Sequence, residues 1–390
     1  MEALRMFENR LGFTKNINKQ YSKDFAQTGA KIGNTITVRK PWRPVTRNGP
    51  AINIQNVNEE MVPLVLNNQT GVDFTFSTTD LTLTVDDFAE RYLRPAIVAV
   101  ANQVDIGCLT LAAQSTYNAV GVPGTTPATS LLYMQGKQKI EELSAPQGDR
   151  HYYINPAAEP VIVDYLKGLF QSSERIKEQY DSGEMGYGFG GNWHMAQNIL
   201  SSTTGAQGGT PLVNGANQTG SSLVTNGWSN SIAGLMNVGD VFTIAGVYKV
   251  NPITKLQSTV LMQFVVTATA KSDASGNSTL QISPSITTSG SLQTVSGSPA
   301  QGAALTLVGA AGSTCANNLI THKDAFTLGC ADMELPQGVH FAARATDEQS
   351  GLSIRIIRAY DINSDQIPCR LDILWGAAAL RPEWACRIMG

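Results

Sequence analysis

The chain has 390 residues, 42% hydrophobic and 15% charged, which at about 150 residues per domain predicts two to three domains with a sizeable core. It has no run of eighteen apolar residues, and its start, Met1-Glu2-Ala3-Leu4-Arg5, lacks the apolar centre of a signal peptide, so a soluble chain outside signal-peptide export is expected. The net charge of −3 hides an asymmetry: residues 1–50 carry ten Lys/Arg against three Asp/Glu, and residues 51–200 carry eight against seventeen. A basic arm on an acidic body suits an acidic neighbour, either another copy or nucleic acid, and suits a solvated arm equally well.

In chain order, Leu4, Phe7, Leu11 and Phe13 with interleaved Arg and Lys predict a short amphipathic helix ending near Gly12. Alternation then predicts strands at 35–39 and 72–77, separated by a stretch rich in Pro, Gly and Asn. The two read as a long two-stranded excursion with too little core of its own, which must lean on something else, such as another subunit. Thr84-Val85-Asp86-Asp87 has capping-box spacing and opens a short helix through Tyr92. Pro95 suits the first turn of the next helix, whose apolar residues Ile97, Val100, Val104, Cys108 and Leu111 carry it to about Asn118, a spine of about 36 Å. A helix at 130–143, a strand at 151–154 and a helix at 156–170 predict a compact α/β part.

Between Ser201 and His322 charge nearly vanishes: only Asp240, Lys249, Lys255, Lys271 and Asp273 remain. Ser, Thr, Gly, Asn and Gln surround short β-branched runs, and the alternation in Gln263-Phe264-Val265-Val266-Thr267 and Thr279-Leu280-Gln281-Ile282 favours strands over disorder. An autonomous β-barrel of residues 201–320, inserted into an interrupted host, is expected. Strands at 324–328, 338–343, 352–360 and 370–380 follow, so the host sheet draws on both ends of the chain.

No motif points to catalysis. Gly186-Tyr187-Gly188-Phe189-Gly190-Gly191 contains G-x-G-x-x-G but lies outside a convincing βαβ unit, and reads as an aromatic-glycine loop. His151, His194, His322 and His340 are scattered through different elements, and Asp86-Asp87 and Glu141-Glu142 are explained by capping or a solvated helix face. Cys108, Cys315, Cys330, Cys369 and Cys386 are widely spaced and odd in number, which favours reduced, buried thiols, with one intersubunit disulfide as the alternative. No catalytic, metal or cofactor site is expected. Arg39, Lys40, Trp42, Arg43 and Arg47 mix basic and aromatic residues as single-strand binders do, but Pro41, Pro44 and Pro50 stiffen the segment, and an acidic protein neighbour is preferred. With Glu59 and Glu60 they are the candidate intersubunit contacts.

Several short motifs, in order, resemble the tailed-bacteriophage major capsid proteins. They are Glu2 to Phe13, Gly29-Ala30-Lys31-Ile32-Gly33-Asn34-Thr35, Asp87-Phe88-Ala89-Glu90-Arg91-Tyr92-Leu93-Arg94-Pro95-Ala96, Gly239-Asp240-Val241-Phe242-Thr243-Ile244-Ala245-Gly246-Val247, His322-Lys323-Asp324-Ala325-Phe326, Asp372-Ile373-Leu374-Trp375-Gly376 and Leu380-Arg381-Pro382-Glu383. Within that group the chain is most similar to the coat protein of the Salmonella podovirus type, which carries an inserted β-barrel. The resemblance implies an α+β fold shared by tailed-phage and herpesvirus capsid floors. Its parts would be an N-terminal arm (1–29), an E-loop (30–85), the spine helix of a peripheral domain (86–120), an axial α/β domain (121–200), the inserted barrel (201–320) and return strands (321–390). It also implies a non-enzymatic protein that assembles into an icosahedral shell of hexamers and pentamers around double-stranded DNA held without sequence specificity. Scaffolding and portal proteins would be partners, with no membrane. The protein would reside in the virion, and in the host cytoplasm during assembly. The alternative is a DNA-binding protein that uses the basic N-terminal arm.

Overall fold

The computed structural model describes residues 12–20, 33–47, 49–52, 54–57, 59–77, 93–166, 186–346 and 352–390. The expected N-terminal helix, the helix at 84–92 and the end of the helix at 156–170 lie outside them. The chain divides into two compact units, one of residues 1–38, 61–109 and 326–380, the other of residues 39–60, 110–325 and 381–390.

In the first unit, strand β1 (Thr35–Arg39) pairs with β2 (Met61–Val65). The partner expected for β1 was 72–77. That stretch belongs instead to β3 (Asn68–Ser77), which runs antiparallel to β19 (Gln366–Ala379) in an unbroken ten-residue register. The ten-residue ladder bonds one whole edge of β3, more than a short excursion paired with β1 could offer. The opposite edge of β19 takes β18 (Ser353–Arg358) and, further along, β16 (Phe326–Ala331), and β17 (Phe341–Thr346) flanks β18. Three return strands, β16, β17 and β18, start later than expected, β16 because a 3-10 turn occupies Lys323–Ala325, and β19 starts earlier.

Helix α1 (Arg94–Ser115) is the predicted spine, ending one turn early, where Thr116 and Ser115 turn their hydroxyls back onto the Ala112 and Leu111 carbonyls. Its 22 residues are long and apolar enough to cross a bilayer, yet Ile97, Val100, Ala101, Val104, Cys108, Leu109 and Ala112 are all buried in the protein. Gly107 has a packing reason: a Cβ there would collide with the Trp375 indole, so only glycine lets the two meet. The buried Asp105 carboxylate accepts hydrogen bonds from Gly12 N (2.6 Å), Thr14 N (3.0 Å) and Thr14 Oγ1 (2.5 Å), while Asn18 bridges to Thr327. The segment 12–20 is thereby tied to both α1 and β16.

The second unit holds a seven-stranded sheet. Its order is β4 (Ala119–Gly121), β20 (Ala385–Met389), β15 (Thr314–His322), β5 (Arg150–Ile154), β7 (Gly191–Met195) and β6 (Tyr187–Gly188), with β8 (Ser201–Thr203) also on β15. As expected, strands from distant parts of the chain interleave. Helix α2 (Ser130–Glu142) packs Tyr133, Gly136 and Ile140 on Tyr152, Trp193, Ile320, Cys386 and Ile388, joined by Ile162 of α3 (Glu159–Leu166). The glycine-rich motif forms the tight β6–β7 turn, with Phe189 and Gly190 at φ of 51° and 80°. It cradles no phosphate-binding helix start.

The charge-poor region forms β9 (Gly209–Val213), β10 (Gly220–Trp228), β11 (Val241–Val250), β12 (Gln257–Val266), β13 (Ser278–Ile286) and β14 (Leu305–Leu307). They pair in the order β14-β11-β12-β13-β10-β9. A Leu212–Ala304 bridge and the bond from Val213 N to Ala303 O (2.9 Å) bring β9 back to β14 and close a barrel. Inward residues such as Leu223, Phe242, Ile244, Phe264, Leu280 and Ile282 fill it. The barrel strands span less than the expected 201–320, because β8 and β15 belong to the host sheet. Its core also runs on into host residues Tyr117, Ala119, Leu143 and Met389.

Candidate assembly interface

The loop 39–60 carries all seven residues singled out from the sequence, and most of their charges are met within the chain. Arg39 Nη1 lies 3.6 Å from Glu59 Oε2, and Lys40 Nζ lies 3.0 Å from Glu60 Oε2, with a further backbone bond from Lys40 N to Glu60 O (2.9 Å). Arg43 forms an ion pair with Glu383, which Arg381 also approaches at 3.9 Å. Arg381 stacks over Trp384, and burial lowers its pKa. Trp42 is half-buried, its Nε1 enclosed without a hydrogen-bond partner among the described residues. Arg47 donates to the Gly49 carbonyl on the exposed side.

Gln55 cross-links this loop, its Oε1 accepting from Val45 N (2.9 Å) and its Nε2 donating to Val45 O (2.5 Å). Beyond that clasp the loop presents apolar side chains to solvent: Ile52 is 82% exposed, Ile54 89% and Val57 63%. These residues were missed by a reading that followed charge. The available signal was the alternation Ile52-Asn-Ile54, an apolar period of two in a segment with no core.

A second constellation, also missed, joins the barrel to its host. Lys249 of β11, nearly buried, pairs with Glu142 at the end of α2, and Asn251 Nδ2 donates to Glu142 O (2.9 Å) and Ser144 Oγ (3.1 Å). Burial pushes the Glu142 carboxyl up, but hydrogen bonds from Lys249 and Gln138 outweigh it and hold it below its ordinary value. Lys139 Nζ donates to Ala119 O (2.7 Å) and Gln263 Oε1 (2.5 Å), and burial lowers its pKa. Arg387, wholly buried, donates from Nη2 to Gly239 O (2.7 Å), and burial pushes it down to about 10. Beside it the Asp240 carboxylate accepts from Gly205 N and Asn237 N, pinning the chain where it enters the insertion.

The histidines are less scattered than expected. His151 Nδ1 and His194 Nε2 are 3.0 Å apart across the parallel β5–β7 pair. His322 is buried edge-on to Trp384, its pKa lowered by burial, and His340 is exposed. Glu141 lies on a solvated face as expected, 40% exposed, and from there also pairs with the buried Arg150 at 2.7 Å. All five thiols are buried, and desolvation raises Cys330 to about 12 and Cys369 and Cys386 to about 11.

The sequence model of the family described as P22 coat protein, gene protein 5, matches residues 2–390. The chain belongs to the P22 coat protein family. It is a major capsid protein, and copies of it form the capsid shell of the virion. Among solved structures this coat protein is similar to one titled Mycobacterium phage Che8, at 10% identity and a TM-score of 0.50, covering 97% of this chain and 90% of that one. The capsid of Ralstonia phage GP4 (7% identity, TM-score 0.45, 98% and 90% covered) and the capsid of an empty GTA particle (6% identity, TM-score 0.45, 95% and 90% covered) are further likenesses. No curated protein sequence matches the coat protein. Its fold is the α+β fold of tailed-phage capsid floors, with an inserted all-β barrel.

Proposed function

We propose that the loop 39–60 is the main contact of this coat protein with the next copy, and that its apolar tip, rather than its charges, drives the contact. The observation that carries this is the pairing of Arg39, Lys40 and Arg43 inside the chain while Ile52, Ile54 and Val57 stand in solvent. Exposed apolar side chains beyond a cross-linked base are an unfinished interface, and closed symmetry finishes it in every copy. Hexamers and pentamers repeat the contact around an icosahedral shell assembled in the host cytoplasm, with scaffolding and portal proteins as partners and no membrane. Double-stranded DNA is enclosed without sequence-specific contacts. The charge pairing also removes three cations from the DNA-binding alternative.

The protein has no enzymatic site and needs no cofactor in this reading. His151, His194 and His322 pack against other aromatic rings, the five thiols are buried and the glycine motif forms a turn, which supports that view.

The test is negative-stain imaging and sedimentation of the purified protein under assembly conditions, with Ile52→Ser, Ile54→Ser and Val57→Ser combined. Shells from the parent and unassembled but normally melting subunits from the variant are expected. Normal shells from the variant would overturn the assignment.

A further inference from the structure

Parallel strands β5 and β7 are held together differently on their two faces. On the face toward α2, the Trp193 indole stacks on the Tyr152 ring at 4.4 Å and 3°. On the other face, one residue along each strand, His151 and His194 stack at 5.3 Å, and Tyr153 lies against both rings at 6.3 Å and 5.4 Å. The strand period of two puts these alternate residues on one side. The contact from His151 Nδ1 to His194 Nε2 is 3.0 Å, a full hydrogen bond, which requires one ring nitrogen to donate and the other to keep its lone pair.

We propose that the His151–His194 pair is an acid-released latch on the β6–β7 edge of the sheet. An uncharged pair, or one sharing a single added proton, keeps the bond. Two imidazolium rings cannot, because both nitrogens then carry protons and two positive charges face each other at contact distance. Around His151 burial most disfavours the charged form, followed by His194, with His322 and Lys323 acting the same way and Asp149 opposing them, and the ring is lowered to about 4. The two rings therefore titrate as a coupled pair in separate steps. The sign follows from linkage. A histidine whose folded pKa lies below its unfolded value of about 6.5 binds protons more readily when released, so the latch is intact above about pH 6.5 and weakens progressively toward about pH 4. The Tyr152–Trp193 stack has no titrating group in that range, so acid loosens one face of the hairpin before the strand detaches.

The test is imidazole NMR titration of the full-length subunit together with amide hydrogen exchange over residues 187–195. One of the two rings is expected to stay uncharged until about pH 5 or below, and exchange of β6–β7, corrected for the intrinsic rate, to rise about ten-fold per pH unit at most through that window. His151→Gln with His194→Gln should flatten the pH dependence, since glutamine keeps a hydrogen bond without titrating. The parent titration needs no variant, so a double variant that fails to fold leaves the first readout standing. Both rings titrating together near pH 6.5, or parent exchange that ignores pH, would overturn the latch.

Discussion

Replacing Glu142 by Gln should destabilise the subunit more than replacing its partner Lys249 by Met. The reason lies in the uneven burial of the pair: the Lys249 side chain is 6% exposed and that of Glu142 is 30% exposed. Losing one partner of a fully buried pair costs about 3–5 kcal/mol, because a charge is left without compensation. Glu142→Gln leaves the ammonium in that position, but the new amide oxygen still accepts a weaker bond, and one side of the pair meets solvent. About 1–3 kcal/mol is therefore expected. Lys249→Met leaves a carboxylate that still receives Gln138 Nε2 (2.8 Å) and can turn to water, for a cost below about 1 kcal/mol. The double variant should resemble Lys249→Met, giving a coupling of about 1–3 kcal/mol in a double-mutant cycle read by urea denaturation of the monomer. Acid supplies a check on sign. The folded pKa of Glu142 is lowered, so its contribution is present above its unfolded value of about 4.3 and is lost as pH falls through the folded value. The gap between parent and Glu142→Gln should close over that range. Equal costs for the two single variants, or a larger cost for Lys249→Met, would refute the reasoning.

Arg43→Glu should lower monomer stability by about 1–3 kcal/mol in the same assay, since it places a second carboxylate against the largely buried Glu383, whereas Arg39→Glu should change it by less than about 0.5 kcal/mol. Gly107→Val should cost about 1–3 kcal/mol or more and shift the Trp375 fluorescence, because its side chain must occupy the space of the indole. Shell yield measured by sedimentation should hold or rise from about 0.05 M to about 0.5 M salt, because apolar contacts do not weaken as screened charge pairs do.

The elements legible in the sequence were those whose period and composition are local. The spine helix shows itself in Ile97, Val100, Val104 and Cys108, and the barrel in short alternating runs without charge. Pairing was less legible. Strand β1 and strand β3 alternate alike, and nothing in either names its partner, so β3 was assigned to the wrong ladder. The boundary of the insertion misled for a related reason: Thr314–His322 has the same uncharged composition as the barrel but is a central host strand. Long-range pairs were invisible. Glu142 and Lys249 stand 107 positions apart, and His151 and His194 stand 43 apart, so only the fold makes neighbours of them.

Magnitudes decide which feature of the loop governs assembly. An exposed ion pair such as Arg39–Glu59 contributes about 0–1 kcal/mol, and pairing it inside the chain leaves little to gain by exchanging it for a partner on another copy. An isoleucine or valine that passes from solvent to full burial contributes about 1.5–3 kcal/mol. Ile52, Ile54 and Val57 together therefore outweigh the three basic residues even if neighbours cover them incompletely. The ion pairs and the Gln55 clasp act earlier, by fixing the loop before a neighbour arrives, so less ordering entropy is lost on contact. A contact of a few kcal/mol remains reversible in one copy, which lets misplaced subunits leave. Repeated around a closed shell it becomes durable, since no subunit can depart without breaking several contacts at once.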